Sequence, residues 1–241
     1  EMVRSDWSSD VCSSDLNLNI YEINYHTTGS YAGLPTTTRN KFVEGASGAL
    51  ALPLHMLVYL TELQARDQCA FLACGYAYRF QSTSSWQDDY VHIWGMLRDL
   101  YHYDIRRPNW IGVECTNKAI MGDAITTTHS GDDPGWTQSA INGVGAATQM
   151  KYVQSFAFRN GNQYGIVLMN LSLTQQQGVR LNVPGSPSAN ASIYAVEPND
   201  INDVNTTSEI VTMTTQNVSN FQNAYEMILP PHSIRTITWS N

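Results

Sequence analysis

Charge is scarce in this chain of 241 residues: only 14% are Asp, Glu, Lys or Arg, and 13 basic side chains face 21 acidic ones. A formal charge of −8 removes the electrostatic basis for binding nucleic acid or an anionic membrane surface. Glu1, Asp6, Asp10 and Asp15 against Arg4 put −3 of that charge in the first sixteen residues and leave −5 for the rest. Cysteine is equally sparse. Cys12, Cys69, Cys74 and Cys115 have neither the CxxC spacing of a zinc site nor a regular disulfide framework, so those after Cys12 read mostly as buried thiols. No run approaches the roughly 20 apolar residues that cross a bilayer. There is no GxGxxG, no phosphate-binding loop and no HExxH, which leaves nucleotide, flavin and metal chemistry without a signature, and no cofactor is expected. Internal repeats are absent, and low complexity stops at Thr36-Thr37-Thr38 and Gln175-Gln176-Gln177.

What is abundant is uncharged polarity. Asn, Gln, Ser and Thr dominate and aromatics reach 10%, a mixture that suits an extracytoplasmic or secreted protein handling carbohydrate. Residues Asp6 to Leu16, DWSSDVCSSDL, resemble one reading frame of a paired-end sequencing adapter. Residues 1–16 are therefore expected to be non-native, in DNA of bacterial origin. The natural sequence should start near Asn17, on the apolar run Leu18-Asn19-Ile20-Tyr21-Glu22-Ile23, with a reading frame cut in mid-domain.

The β-prone run of residues 18–25 predicts a buried parallel strand. Val43, Ala46, Leu50, Leu54, Leu57, Val58 and Thr61 recur at helical spacing, predicting a helix over residues 44–64 with Pro53 inside it. A second strand follows at 68–75, a helical or strand-to-helix stretch at 90–101, and a helix at 107–121 with Pro108 in its first turn. The order βαβα implies parallel strands packed on helices. After Gly122 the pattern changes to short β runs at 151–159, 163–172, 178–183, 191–196, 210–215, 224–229 and 233–239, with Asn160-Gly161 as a hairpin turn. That series predicts an antiparallel sandwich over residues 122–241, its two sheet faces buried against each other and needing little from the preceding segment. Residues 17–121 form the other unit.

Glu22 stands near the exit of the first strand, two positions before Asn24, and α/β barrels put catalytic groups at the C-terminal ends of parallel strands. With Glu22-Ile23-Asn24 as a Glu-x-Asn motif, the chain resembles the C-terminal part of retaining glycosidases of the α-L-arabinofuranosidase and β-xylosidase type, glycoside hydrolase families 51 and 39. The resemblance implies that residues 17–121 are the last βα units of a truncated (β/α)8 barrel, with 44–64 as its seventh helix and 68–75 as its eighth strand. It implies Glu22 as nucleophile, an acid/base Glu upstream, and the sandwich closing at Ile228 to Ile234 and Thr236 to Thr238. Tyr21 and Ile23 flank Glu22 where the family more often has a Trp after the Glu.

The chemistry asks for such a residue on its own terms. Retaining hydrolysis needs one carboxylate to attack the anomeric carbon and another about 5 Å away to protonate the leaving oxygen. Asn24, His26, Tyr76 and Arg79 are placed as substrate-contacting residues of the same pocket. Glu44 reads as a helix-start carboxylate, and Trp86, Trp94, Trp110 and Trp136 serve as packing anchors as readily as sugar platforms. Asn170, Asn190, Asn205 and Asn217 begin glycosylation triplets and are read as unmodified surface positions. The expectation is therefore a glycosidase acting on arabinofuranoside- or xyloside-type polysaccharide in full length and inactive as this fragment. The alternative is a non-catalytic carbohydrate-binding sandwich with a barrel remnant, or a catalytically dead barrel relative.

Overall fold

A computed structural model describes residues 19–23, 45–65, 67–70, 80–82, 85–87, 96–97, 105–140, 145–205 and 207–241. The expectation for residues 1–16 and most of the 90–101 stretch lie outside the described residues.

The first part is a parallel βαβ unit followed by a hairpin and a helix. Strand β1 (Asn19–Ile23) leads to helix α1 (Ala46–Thr61) and on to β2 (Asp67–Ala70), which pairs with β1 in parallel. β3 (Phe80–Ser82) pairs antiparallel with β4 (Ser85–Gln87), and α2 (Pro108–Asn117) follows with Pro108 in its first turn. A proline suits that position because its missing N–H would have no partner inside the helix. The two helices pack closely. A Cβ on Gly112 of α2 would collide with the Ala49 carbonyl of α1, so this crossing requires glycine.

The second part is all β: β5 (Asp123–Ile125), β6 (Gly135–Gln138), β7 (Ala147–Lys151), β8 (Val153–Asn160), β9 (Gln163–Asn170), β10 (Gln177–Leu181), β11 (Ala191–Val196), β12 (Met213–Val218), β13 (Tyr225–Leu229) and β14 (Ser233–Ser240). Six of them form one sheet in the order β12-β11-β14-β9-β8-β5, every neighbouring pair antiparallel. β10 and β13 form a second antiparallel pair over one face of it, and β6 with β7 forms a separate hairpin. Ile193, Ile237, Ile166 and Ala157 make a row across four strands on the face toward β10 and β13, where Leu181, Phe221 and Leu229 cover them.

The opposite face is not solvated. Phe156, Phe158, Val167, Met169, Val196 and Ile234 pack against Ala46, Ala49, Leu50 and Leu57 of α1 and Ile111 and Cys115 of α2. This corrects the expectation that residues 122–241 need little from the preceding segment, and it explains why β9 is buried without interruption from Tyr164 to Asn170. An antiparallel strand with one wet face would alternate. Backbone bonds join the two parts as well: the first amides of α1, at Ala46 and Ser47, donate to the carbonyls of Asp203 and Ile201. A helix leaves its first N–H groups unpaired, and here the sandwich supplies their acceptors.

Three further differences from the sequence reading have local causes. The β8–β9 turn is Gly161-Asn162 rather than Asn160-Gly161, with Asn160 paired to Gln163 and the positive φ of 59° at Gly161, the first central position, as in a type II′ turn. The run at 210–215 becomes β12 three residues later, because the Asn205 side-chain oxygen accepts from the amides of Ile210 and Val211 and holds them in a loop. Asn170 and Asn205 are buried rather than surface positions. Asn170 donates to the carbonyls of Gln175, Leu229 and Pro230, and Asn205 to those of Arg106 and Val211.

Arg106, just before α2, clamps the same loop. Its backbone amide and Nε donate to Glu209 Oε1 at 2.9 Å each, its Nη2 to Oε2 at 2.7 Å, and its Nη1 to Glu114 at 2.7 Å. These bonds hold the Glu209 carboxyl below the ordinary carboxylate range and raise Arg106. Burial pushes the Cys115 thiol up to about 12, leaving it inert at neutral pH.

Two outcomes follow. Gly112→Ala should lower stability by about 1–3 kcal/mol, the usual cost of overpacking, read as a lower urea midpoint; an unchanged midpoint would show that the helices part freely. Because Glu209 has a depressed folded pKa, its contribution is present above the unfolded value of about 4.3 and lost as pH falls through the folded one. Glu209→Gln should therefore destabilise at pH 7 and shrink the stability difference between pH 7 and pH 3; an unaltered difference would remove the clamp from the account.

Candidate functional site

The site anticipated from sequence is built on β1 and β2. The two strands run side by side in parallel from Asn19 beside Asp67 to Ile23 beside Ala70, so their C-terminal ends lie at one end of the pair. Glu22 is the penultimate residue of β1, at that end. The register is not uniform: three steps along β1, from Ile20 to Ile23, match two along β2, from Gln68 to Ala70. The extra residue marks a register shift between Ile20 and Ile23, across Tyr21 and Glu22.

What holds this end of the molecule is the helix pair. Ile20 packs on a cluster made by Leu52, Met96 and Val113, with Met56, Tyr59 and Trp110 around it. Leu97 bridges Arg106, and the amide of Arg107 donates to the carbonyl of Met96, tying the strand-bearing segment to the start of α2. β1 therefore rests on the same two helices that cover the large sheet.

Asn24, His26, Tyr76 and Arg79 lie outside the described residues, as do Glu44, Cys74 and Trp94. Trp110 is a packing residue of the helix pair, and Trp136 stacks on Tyr152 with ring centres 5.5 Å apart. Among the described residues, no group of three or more His, Cys, Asp or Glu side chains could hold a metal ion. No helix among them is long and apolar enough to cross a membrane. Sequence reasoning missed Arg106–Glu209 and the long-range bonds of Asn170 to Leu229 and of Asn205 to Arg106, because partners 59 to 103 residues apart leave no spacing signal.

No protein-family model matches the chain, and no curated protein sequence matches it. Solved structures do. An arabinofuranosidase matches with a TM-score of 0.61 at 15% identity, over 93% of this chain and 43% of its own. The thermostable family 51 α-L-arabinofuranosidase of Thermotoga petrophila RKU-1 matches at 0.60 and 13% identity, over 92% of this chain and 43% of its own. The family 51 arabinofuranosidase of Xanthomonas axonopodis pv. citri gives 0.58 and 17%, over 93% of this chain and 41% of its own. A family 30 subfamily 8 xylanase of Clostridium acetobutylicum is more distant, at 0.50 and 12%, over 92% of this chain and 43% of its own. Almost the whole chain thus shares its fold with glycoside hydrolases of the family 51 arabinofuranosidase type, and it spans about two fifths of their length.

Proposed function

We propose that the chain is the part of a retaining glycosidase that carries the nucleophile strand and the C-terminal sandwich, with Glu22 as the nucleophile. The observation that carries this reading is the placement of Glu22 at the C-terminal end of a parallel strand, within a fold shared with arabinofuranosidases. In α/β barrels that end of the strands is where chemistry is done. β1, α1 and β2 are then the remnant of the barrel, and residues 122–241 its sandwich. The substrate class is an arabinofuranoside or xyloside of a plant-type polysaccharide. Asn24, His26, Tyr76 and Arg79 would line its pocket.

In this reading Glu22 attacks the anomeric carbon to form a glycosyl ester, and water hydrolyses the ester with net retention. Both steps need an acid/base carboxyl, which the reading places in a barrel strand upstream. The 241-residue chain should therefore leave aryl arabinofuranosides and xylosides uncleaved. In the gene extended upstream, turnover should appear, fall by about 10³-fold or more in Glu22→Ala, and be partly rescued by azide, a small anion in place of the missing carboxylate. An extended enzyme indifferent to Glu22→Ala would overturn the assignment.

A further inference from the structure

A second constellation of reactive side chains sits on the sandwich, where the glycosidase reading uses nothing. Ser155 is on β8, on the face shared with Val153 and Ala157 that looks toward β10. The loop of residues 126–134 runs over it. His129 in that loop places Nε2 2.8 Å from Ser155 Oγ and Nδ1 3.3 Å from Asp133 Oδ2. Lys151 fixes the far side of the loop, its Nζ donating to the Asp133 carbonyl at 2.6 Å and standing 3.5 Å from Oδ2. Thr127 Oγ1 donates to the Ser155 carbonyl at 3.1 Å and accepts from Ser155 Oγ at 2.8 Å, so the serine hydroxyl sits between Thr127, to which it donates, and His129.

We propose that Ser155, His129 and Asp133 form a serine hydrolase site for esters of short acyl chains. Three features support it. A hydroxyl within hydrogen-bond reach of an imidazole, itself oriented by a carboxylate, is the arrangement that activates a serine as a nucleophile. All three residues line one cavity of about 320 Å³. Its remaining walls are mixed: Ile166, Leu168, Val179 and Leu181 form an apolar side with room for a small acyl group, and Thr128, Asp132, Asn182 and Arg180 line the polar side. The site is independent of Glu22. It also borders a second hollow lined by Thr61 and Glu62, at the C-terminal end of α1, whereas Glu22 precedes the N-terminal end of that helix.

The chemistry balances without a cofactor. With its hydroxyl turned from Thr127 Oγ1 toward His129, Ser155 Oγ attacks the acyl carbon as its proton passes to His129 Nε2, whose Nδ1–H donates to Asp133. The acyl C–O bond to the alcohol breaks, and the alcohol oxygen takes the proton from Nε2. Water then gives a proton to Nε2 and its oxygen to the acyl carbon, the Ser155 ester bond breaks, and Oγ recovers the proton. An ester and water become an acid and an alcohol.

The test uses the whole 241-residue chain with a fluorophosphonate and with p-nitrophenyl acetate and butyrate. The site predicts one phosphonyl adduct, mapped by peptide mass spectrometry to Ser155. It also predicts ester hydrolysis that falls at least ~100-fold in Ser155→Ala and in His129→Ala while circular dichroism stays unchanged. The adduct is read on the unaltered chain, so a variant that fails to fold leaves that arm decisive. No adduct, an adduct on another residue, or a folded Ser155→Ala that hydrolyses like the parent overturns the proposal and leaves the three side chains as a latch for the loop.

Discussion

The structure depends on one buried surface, the face of the six-stranded sheet that lies against α1 and α2. Phe156, Phe158, Val167, Met169 and Ile234 meet Ala49, Leu50, Leu57, Ile111 and Cys115 there, and all of these side chains are at most 8% exposed. Removing this contact would return two apolar surfaces to water at once, one on the sheet and one on the helix pair. Each large side chain contributes roughly 1.5–3 kcal/mol on burial, so the contact outweighs any hydrogen bond or ion pair across the same junction. The polar bonds then set the geometry. Asp203 and Ile201 cap the first amides of α1, Glu209 binds Arg106, and Asn205 reaches the Arg106 carbonyl.

That arrangement has a consequence for the site. β1 rests through Ile20 on the Leu52, Met96 and Val113 cluster, and Leu52 and Val113 belong to the two helices whose other side chains are locked on the sandwich. The backbone of β1 at Glu22 is thereby tied to the sandwich through two packed layers. Under the proposed reading of Glu22, the sandwich would act on catalysis in this way, by fixing the helices on which β1 rests. Misplacement of reacting groups by about 1 Å is enough to cost orders of magnitude in rate.

Much of this was legible in the sequence, and for physical reasons. Helical spacing from Ala46 to Thr61, Pro108 at a helix start, and the β runs ending at Val196, Leu229 and Trp239 mark elements whose periodicity is local. Parallel pairing of the strand carrying Glu22 with the next one follows from their order around a helix. The second covered face was not legible, because β9 reads as continuously apolar whether its other side meets helices or a sheet. Nor was the register shift between Ile20 and Ile23, which is a property of the pair and not of either strand. β6 and β7 were missed because Gly135-Trp136-Thr137-Gln138 carries no apolar alternation. His129, Asp133 and Ser155 could not be grouped either: only the fold brings a loop residue within hydrogen-bond reach of a strand residue 26 positions away.

Residues 122–241 expressed without the helices test this account most directly, through their thermal unfolding and dye binding beside those of the longer chain. If α1 and α2 cover an indispensable face, that piece should bind a hydrophobic dye strongly, aggregate, and melt without a cooperative transition. A soluble piece that ignores the dye and melts cooperatively at the temperature of the longer chain would show that the sheet closes on itself. The contact with the helices would then not be what holds the structure together.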